Sequence, residues 1–400
     1  MKKIFGLSVL ISIVVSTAIA QVTTPAQQLI MTNEDSLNAG VSSSKTVLSG
    51  YGSAFYQRNT NQQTANITLE RIVLFVGHQF NSKISVFTEL EVENAKVEGG
   101  KSGGEVSIEQ AFLKFNLNSR QYIAAGLLLP RIGILNENHL PVNFFGVERP
   151  LVEQFIIPCT WRELGIGFYG RLKKLPVNYS IALLNGLNAA GFEHGSPIRE
   201  GRYEGQNATA NNLALTGSLQ YLYNDFIFQV SGYAGGSNGL NKRSSDSLEL
   251  SSGMFGLPVY LGEADIRWSK NGWNAKALGA FISIPDAYSI NKAYANNTSS
   301  TSYGAYAEVA YNLFENKPKL LKQQLNAFTR FETMNLNNTI PSNGIYDGTL
   351  DQQNLIIGFA YLPIPNVVIK TDVRLLHTSP VALPYQQNNS LINIGIGYSF

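Results

Sequence analysis

The sequence predicts an all-β fold, a transmembrane antiparallel β-barrel of about 16 strands, on three observations. Charged residues make up only 14% of the 400 residues, against roughly 25% in a typical soluble domain. Apolar and polar residues alternate with a period of two over segments of about ten residues, as they do in the strands of a membrane barrel. The connections between these segments alternate between short and long, which puts the short turns at one end of the barrel.

The N-terminus has the layout of a secretory signal peptide. Lys2 and Lys3 precede an apolar run over residues 4–15, and Ala18-Ile19-Ala20 follows as a small-residue cleavage site. A membrane-spanning helix is the alternative, but the run is short for one. We therefore expect three parts: a signal peptide over residues 1–20 that is cleaved after Ala20, a short polar segment over 21–46, and the barrel over 47–400.

The charge balance argues against a nucleic-acid partner. Without Lys2 and Lys3, the chain has 28 basic residues against 28 acidic ones, so no basic excess remains to attract phosphates. Cys159 is the only cysteine. It therefore has no intrachain disulfide partner, and it lies too far from the signal peptide to carry a lipid anchor.

The last segment is the clearest example of alternation. Ile392, Ile394, Ile396, Tyr398 and Phe400 fall on one face of a strand, and small or polar residues fall on the other. The apolar face would contact either a second sheet or, in a membrane barrel, lipid.

Several other strands carry charges on one face, and these charges must be hydrated because unpaired ions are costly to bury. In a barrel whose other face contacts lipid, such residues point into a water-filled lumen. The main predicted lumen-facing residues are Glu263, Asp265, Arg267, Arg330, Glu332, Lys370, Asp372 and Arg374, and the same reasoning adds Glu89, Glu91, Glu163, Glu308, Lys114, Arg171 and Lys276.

About sixteen strands can be delimited, an even number as bacterial barrels require. The predicted ranges are 47–57, 67–80, 83–94, 105–117, 120–129, 162–172, 177–186, 211–222, 225–235, 258–269, 272–284, 301–313, 323–334, 353–363, 366–376 and 389–400. Four pairs of aromatic residues flank the short turns and predict a belt at the membrane surface. They are Phe115 and Tyr122, Tyr221 and Phe226, Trp268 and Trp273, and Tyr311 and Phe314.

Three segments resemble the phosphate-selective porin O/P family of Gram-negative outer-membrane porins, in a Bacteroidetes-type form. They are residues 108–115 (Ile-Glu-Gln-Ala-Phe-Leu-Lys-Phe), 125–131 (Ala-Gly-Leu-Leu-Leu-Pro-Arg), and 148–150 (Glu-Arg-Pro) together with 162–167 (Arg-Glu-Leu-Gly-Ile-Gly). The last strand, ending at Phe400, also resembles the C-terminal signal through which the barrel assembly machinery recognises such proteins.

The resemblance implies a porin-like barrel in the cell outer membrane, surrounded by lipid and assembled as a homotrimer, through which small solutes pass by diffusion. We do not infer phosphate selectivity from this resemblance. The predicted lumen contains nearly equal numbers of acidic and basic residues, so it gives no strong field that attracts anions. We therefore expect weak charge selectivity. A substrate-specific uptake channel for phosphate or another anion stays open as an alternative, and so does an outer-membrane barrel enzyme.

The connection over residues 130–161 is the longest and is apolar for a loop, so leaving it in water would expose a large apolar patch. We expect it to fold against the inner barrel wall. Its charged residues would then line the constriction of the pore: Arg131, Glu148, Arg149 and Glu153, with Arg162 at the start of the next strand. The alternative is a loop that caps the barrel or contacts another subunit.

Two apparent motifs do not predict chemistry. Residues 95–102 match a relaxed P-loop pattern, but they link two antiparallel strands, whereas a P-loop needs a strand before it and a helix after it. The four histidines, His78, His139, His194 and His377, lack the spacing of metal ligands. We expect no cofactor, no metal and no enzymatic activity.

Overall fold

The computed structural model describes residues 23–27, 45–94, 104–193, 195–320, 322–380 and 387–400. Sixteen antiparallel strands close into a barrel in which each strand pairs with its neighbours in sequence and β1 pairs with β16. The predicted fold class is therefore confirmed. The signal peptide, most of the polar segment 21–46, the P-loop-like segment and His194 lie outside the described residues.

The strands follow the predicted ranges closely. Their bounds are β1 Lys45–Asn59, β2 Thr64–Gln79, β3 Ile84–Glu93, β4 Glu105–Asn118, β5 Gln121–Leu128, β6 Glu163–Arg171, β7 Val177–Asn185, β8 Leu213–Tyr223, β9 Phe226–Gly236, β10 Pro258–Lys270, β11 Trp273–Ser283, β12 Thr301–Asn312, β13 Gln324–Thr339, β14 Asp351–Ile364, β15 Val367–Thr378 and β16 Asn388–Ser399. β13 runs five residues beyond its predicted end because its asparagine-rich end still pairs with β12, up to the Thr301 and Thr339 pair.

Within the described ranges, short helices occur in the connections between strands, and residues 25–27 of the N-terminal segment are also helical. The α-helices span Val152–Phe155, Pro197–Glu200, Lys242–Ser247 and Ala287–Tyr294, and 3-10 turns span Pro141–Asn143, Ala189–Gly191, Pro318–Leu320 and Gly348–Leu350. None of the helices in the described ranges is both long and apolar enough to cross a lipid bilayer.

Exposed apolar residues alternate with buried residues along the strands, and this alternation distinguishes the outer face of the barrel from the inner face. In β16, Ile392, Ile394 and Ile396 are 39%, 49% and 56% exposed on the outside, while the residues between them are buried on the inside. The barrel closes where Gly50 and Phe400 exchange two backbone hydrogen bonds of 2.9 Å. The outer face is thus apolar at the closing strand, as contact with acyl chains requires.

The prediction of the aromatic belt is wrong for one residue, Tyr122. Tyr122 points inward, where its ring stacks on Tyr169 with centroids 4.8 Å apart, because it shares the inner face of β5 with buried Ala124. Other aromatic residues do flank the short turns. Trp273 contacts Tyr311 with centroids 4.7 Å apart.

Two β-bulges change which residues point inward. In β2, Ser53 pairs with Arg71 and Ala54 pairs with Leu69, so Glu70 is the extra residue. In β4, Glu89 pairs with Gln110 and Leu90 pairs with Ile108, so Glu109 is the extra residue. A bulge breaks the two-residue period. As a result, Glu70 lies inside beside Arg71, and Glu109 lies inside although simple alternation puts it outside.

The buried core lies within the barrel and is shared by the wall and the connection over 130–161, called the inner loop from here on. Ile132, Leu135 and Ile156 of this loop are fully buried, and Trp161 packs on Tyr233 of β9 with centroids 4.9 Å apart. A second cluster beside it includes Ala26 from the N-terminal segment, packed with Tyr51 and Phe75. The apolar residues of the inner loop are therefore covered by the inner barrel wall.

Candidate functional site

The inner loop is held to β13 and β15 by hydrogen bonds from its backbone. The Leu151 N–H donates to Glu332 (2.6 Å), and the Val147 N–H donates to Asp372 (2.7 Å). In the other direction, Lys370 donates to the Gly146 carbonyl (2.8 Å). These charges satisfy backbone groups that the loop would otherwise bury unpaired, so its position against this wall is fixed. We call the inner surface of β12–β15 the anchoring side.

Arg330 and Arg374 extend these contacts to Glu148. Arg330 donates to the Glu148 carbonyl (3.3 Å), and Arg374 forms an ion pair with the Glu148 carboxylate (3.0 Å). Arg330 also bridges Glu332 (2.6 Å) and Glu308 (3.1 Å). The charges of the anchoring side are therefore paired with one another or with the loop, and the loop covers most of them.

Glu153 shapes the loop from within. One carboxylate oxygen accepts from the N–H groups of Ile134 (2.8 Å) and Leu135 (2.7 Å), and the other accepts from the Tyr306 hydroxyl (2.6 Å). The side chain is fully buried, and burial raises its pKa while the Tyr306 hydrogen bond opposes that rise. Its contacts therefore shape the loop and join it to Tyr306 of β12, whereas the prediction places Glu153 in the constriction of the pore.

Arg131 of the inner loop is enclosed by neighbouring side chains. It forms an ion pair with Glu137 (2.9 Å), donates to the Tyr122 hydroxyl (2.9 Å) and packs over the Tyr169 ring. These groups surround a separate cavity of about 60 Å³. The structure thus places Arg131 among these groups, whereas the prediction places it in the constriction of the pore.

The larger space is a cavity of about 480 Å³ between the inner loop, the inner surface of β1–β4 and the connection after β7. We call it the charged cavity, and the inner surface of β1–β4 the open side. Its ionisable lining consists of five arginines and seven glutamates: Arg71, Arg149, Arg162, Arg199 and Arg202, with Glu70, Glu91, Glu93, Glu105, Glu148, Glu200 and Glu204.

Most charges of this cavity are paired. Arg71 lies 2.9 Å from Glu70 and 3.1 Å from Glu91, while Arg162 and Arg202 share Glu204 at 2.9 and 2.8 Å. Arg149 differs, because its guanidinium forms no ion pair in the described part of the chain. It is therefore the cavity arginine whose charge is least compensated by a direct partner.

Glu148, Arg149 and Arg162 are thus the three predicted constriction residues that line the charged cavity. The eight main lumen-facing residues lie on strands with their side chains inward, but those on β13 and β15 hold the inner loop. On β10, Arg267 forms an ion pair with Asp265 (2.8 Å) and donates a hydrogen bond to Gln229. Gln229 in turn donates to the Gly133 carbonyl of the inner loop. Glu263, also on β10, accepts a hydrogen bond from Ser231.

The prediction missed much of the cavity lining. Glu70 and Arg71 are consecutive, so strict alternation allows only one of them to point inward, and the bulge in β2 places both inside. Arg199, Arg202 and Glu204 come from a connection that has no alternation to read. The cluster of charges over 199–204 was the available signal for this part of the site.

Two further groups on the inner loop have shifted titration. Burial raises the pKa of the Cys159 thiol well above its usual range, which disfavours the thiolate. Burial lowers the pKa of His139 to about 4, against the opposing field of the Glu109 carboxylate. His139 is therefore a neutral imidazole at physiological pH.

Solved structures with a similar fold include porins and other outer-membrane proteins. OmpF of Salmonella typhi in complex with daunomycin matches with a TM-score of 0.56 at 12% identity, over 89% of this chain and 98% of that one. An anion-selective porin from Comamonas acidovorans matches with a TM-score of 0.51 at 9% identity, over 90% and 100%. OmpT of Vibrio cholerae in its trimer form matches with a TM-score of 0.51 at 9% identity, over 90% and 100%.

These likenesses establish a sixteen-stranded, porin-like barrel. No family profile matches the chain. In sequence, an uncharacterized protein of Aquifex aeolicus is 30% identical over 338 residues, which cover 81% of this chain and 74% of that protein. Identity of this level over most of both chains shows common descent, and the chain therefore belongs to the same protein family as the Aquifex aeolicus protein.

Proposed function

We propose that this protein is an outer-membrane porin, a water-filled channel for the passive diffusion of small hydrophilic solutes and ions. The observation that carries the proposal is the charged cavity inside a closed sixteen-stranded barrel. Barrels of this size leave an aqueous channel. The apolar outer face suits lipid, while ionised side chains on the inner face need water.

The inner loop would form the constriction, because it narrows the lumen to the space between itself and the open side. Glu148, Arg149 and Arg162 would then set the local field. The alternative role, contact with another subunit, is less favoured, since the loop directs its backbone hydrogen bonds to the inner wall of its own barrel.

Charge selectivity should be weak. Five arginines and seven glutamates face the same cavity, and most of them neutralise one another in ion pairs at 2.8–3.6 Å. Paired charges give a small net potential along a pore. Kinship with the phosphate-selective porin O/P family remains part of the proposal at the level of sequence segments, but phosphate selectivity does not.

A second candidate is a substrate-specific anion channel, and one observation favours it. Arg149 has no ion-pair partner in the described part of the chain, so its guanidinium is available to an anion in the cavity. A barrel enzyme has less support, because the one buried histidine of the described chain, His139, contacts carboxylates and no serine or cysteine nucleophile.

The test is conductance in planar lipid bilayers. We expect stepwise channel insertion, small reversal potentials in a salt gradient, and no block by phosphate at micromolar concentration. Saturable block by phosphate would favour the substrate-specific channel. Absence of conductance from correctly folded, heat-modifiable protein would refute the channel itself.

Location and assembly complete the proposal. We infer export through the signal peptide with cleavage after Ala20, insertion through the barrel assembly machinery, and a homotrimer in the outer membrane, by analogy with the trimer form of OmpT. Deleting residues 398–400 should sharply lower heat-modifiable protein in the outer membrane, because it removes the closing hydrogen bonds of Phe400 with Gly50. Normal outer-membrane levels would refute this role of the last strand.

A further inference from the structure

Three buried side chains meet where the inner loop approaches β3 and β4. His139 of the inner loop, Glu89 of β3 and Glu109 of β4 are each fully buried. The His139 Nε2 atom lies 3.1 Å from Glu89 Oε1 and 3.6 Å from Glu109 Oε2. None of the three lines the charged cavity, so this cluster is distinct from the proposed passage.

The hydrogen bond of His139 Nδ1 determines whether Nε2 faces the carboxylates with a proton or with a lone pair. His139 Nδ1 lies 3.0 Å from the Asn136 carbonyl oxygen. A carbonyl oxygen only accepts, so Nδ1 must carry a proton and donate it. When the imidazole is neutral and both carboxyl groups are ionised, the Nε2 lone pair faces two carboxylate oxygens, and all three atoms are acceptors.

The cluster contains a carboxylate oxygen that has no hydrogen bond among the described residues. Glu109 Oε2 forms no hydrogen bond in the described part of the chain, and neither does the hydroxyl of the fully buried Tyr51, whose ring lies 5.7 Å from that of His139. The outer oxygens have donors, because Thr160 donates to Glu109 Oε1 and Gln110 donates to Glu89 Oε2. Buried polar atoms without a partner are rare and call for a ligand or a proton.

We propose that His139 Nε2, Glu89 Oε1 and Glu109 Oε2 bind a divalent transition-metal ion of the Zn²⁺ or Mn²⁺ type. The three atoms lie within 4.8 Å of one another, and ligands of tetrahedral Zn²⁺ stand about 3.3 Å apart, so a small contraction completes the site. One imidazole with two carboxylates suits such an ion better than Ca²⁺ or Mg²⁺, which prefer oxygen alone.

Two features of the surroundings match a metal site. The Nδ1–H bond to a backbone carbonyl is the usual arrangement that orients a ligating histidine. The +2 charge of the ion also balances two carboxylates that, among the described residues, are buried without an arginine or lysine within 3.5 Å, since Arg162 comes no closer to Glu109 than 4.0 Å. The ion would thus remove an electrostatic cost of burying this cluster.

The ion would join the inner loop to β3 and β4, opposite the anchoring side. On the anchoring side, the loop is already held by its backbone hydrogen bonds to Glu332 and Asp372. The metal would hold the opposite side of the loop, against β3 and β4. This site does not depend on solute passage, and failure of one proposal leaves the other standing.

The experiment uses untagged protein purified from membranes without chelators. Elemental analysis should find about one Zn²⁺ or Mn²⁺ per chain. After dialysis against a chelator, the melting temperature should fall, and adding Zn²⁺ or Mn²⁺ alone should restore it. His139→Gln and Glu109→Gln should each weaken metal binding by roughly a hundredfold or more, since even second-sphere changes cost ten- to hundredfold.

The matched controls are His377→Gln, an exposed histidine bonded to Asn388, and Glu105→Gln, an exposed carboxylate on the same strand as Glu109. Both should retain the metal. The proposal is overturned if the wild-type protein holds no stoichiometric metal and neither ion shifts its melting temperature, because a proton shared by the two carboxylates then suffices. Equal metal loss in the controls and the cluster variants would overturn it too. If a cluster variant does not fold, the wild-type metal content and the chelator series still decide.

Discussion

The two sides of the barrel interior carry the same kinds of charged residue but use them differently. On the anchoring side, Arg330, Glu332, Lys370 and Asp372 are at most 3% exposed and hold the inner loop. On the open side, Glu70 and Glu93 keep about a third of their side chains exposed, at 32% and 37%, toward the charged cavity. An inward-facing charge is therefore not by itself a residue of the passage.

The energetic consequence follows from burial. A buried charge that loses its partner leaves an uncompensated ion in a low dielectric, whereas an exposed pair is largely screened by water. Substitutions on the anchoring side should therefore change stability and loop position, and those facing the charged cavity should change conduction. The following predictions test this division, from the largest expected effect to the smallest.

Removal of residues 136–156 should give the largest change. It deletes the part of the inner loop that separates the anchoring side from the charged cavity. Single-channel conductance should roughly double or more, because an unfilled sixteen-stranded barrel encloses an open aqueous channel. The measurement is conductance in planar bilayers, with heat-modifiability as the control for folding. Unchanged conductance of a folded deletion variant would place the loop outside the conduction path.

Glu332→Ala should destabilise the protein by about 3–5 kcal/mol, because it removes one of the two carboxylates that Arg330 bridges and leaves the Leu151 N–H buried without its acceptor. The matched change on the open side, Glu93→Ala, should cost about 1 kcal/mol or less, since Glu93 is partly exposed and lies 3.5 Å from Arg71. Free energies of unfolding from urea titrations in lipid vesicles compare the two. Similar costs would contradict the division into two sides.

Arg149→Gln should shift ion selectivity toward cations. Arg149 has no ion-pair partner among the described residues. Removing its positive charge about 6 Å from a permeating ion in a water-like dielectric changes the energy of that ion by about 0.7 kcal/mol, which corresponds to about threefold in the permeability ratio. Arg162→Gln should shift it in the same direction but less, because Glu204 already compensates Arg162. Reversal potentials in a salt gradient measure both. Asp347→Asn in the connection between β13 and β14 is the control and should have little effect.

Arg131→Gln should leave ion selectivity nearly unchanged, although Arg131 belongs to the same loop as Arg149. Its charge is compensated by Glu137 and enclosed by Tyr122 and Tyr169. We expect only a modest loss of stability, about 1–2 kcal/mol, for the lost charged hydrogen bonds. Reversal potentials and urea titrations give the two values. A selectivity shift as large as that of Arg149→Gln would mean that ions pass on the other side of the inner loop.

The strands could be predicted from the sequence because their pattern is local. A period of two with an apolar face forces one side of each strand outward, and Ile392, Ile394 and Ile396 obey it. The charges at Lys370, Asp372 and Arg374 obey the same rule on the inner face. The candidate site could be predicted only in part: Glu148, Arg149 and Arg162 line the charged cavity, but the partners of each loop residue depend on how the loop folds.

The sequence by itself therefore determined the barrel, its strand number and the two faces of its regular strands, because hydrophobic alternation acts residue by residue. Only the tertiary structure decided which inner charges meet water. The bulges that bring Glu70 and Glu109 inside arise from the register between neighbouring strands, and the burial of Glu153 arises from the path of a loop without regular pattern. Pairing register and loop path are set by contacts between residues far apart in sequence, so no local pattern encodes them.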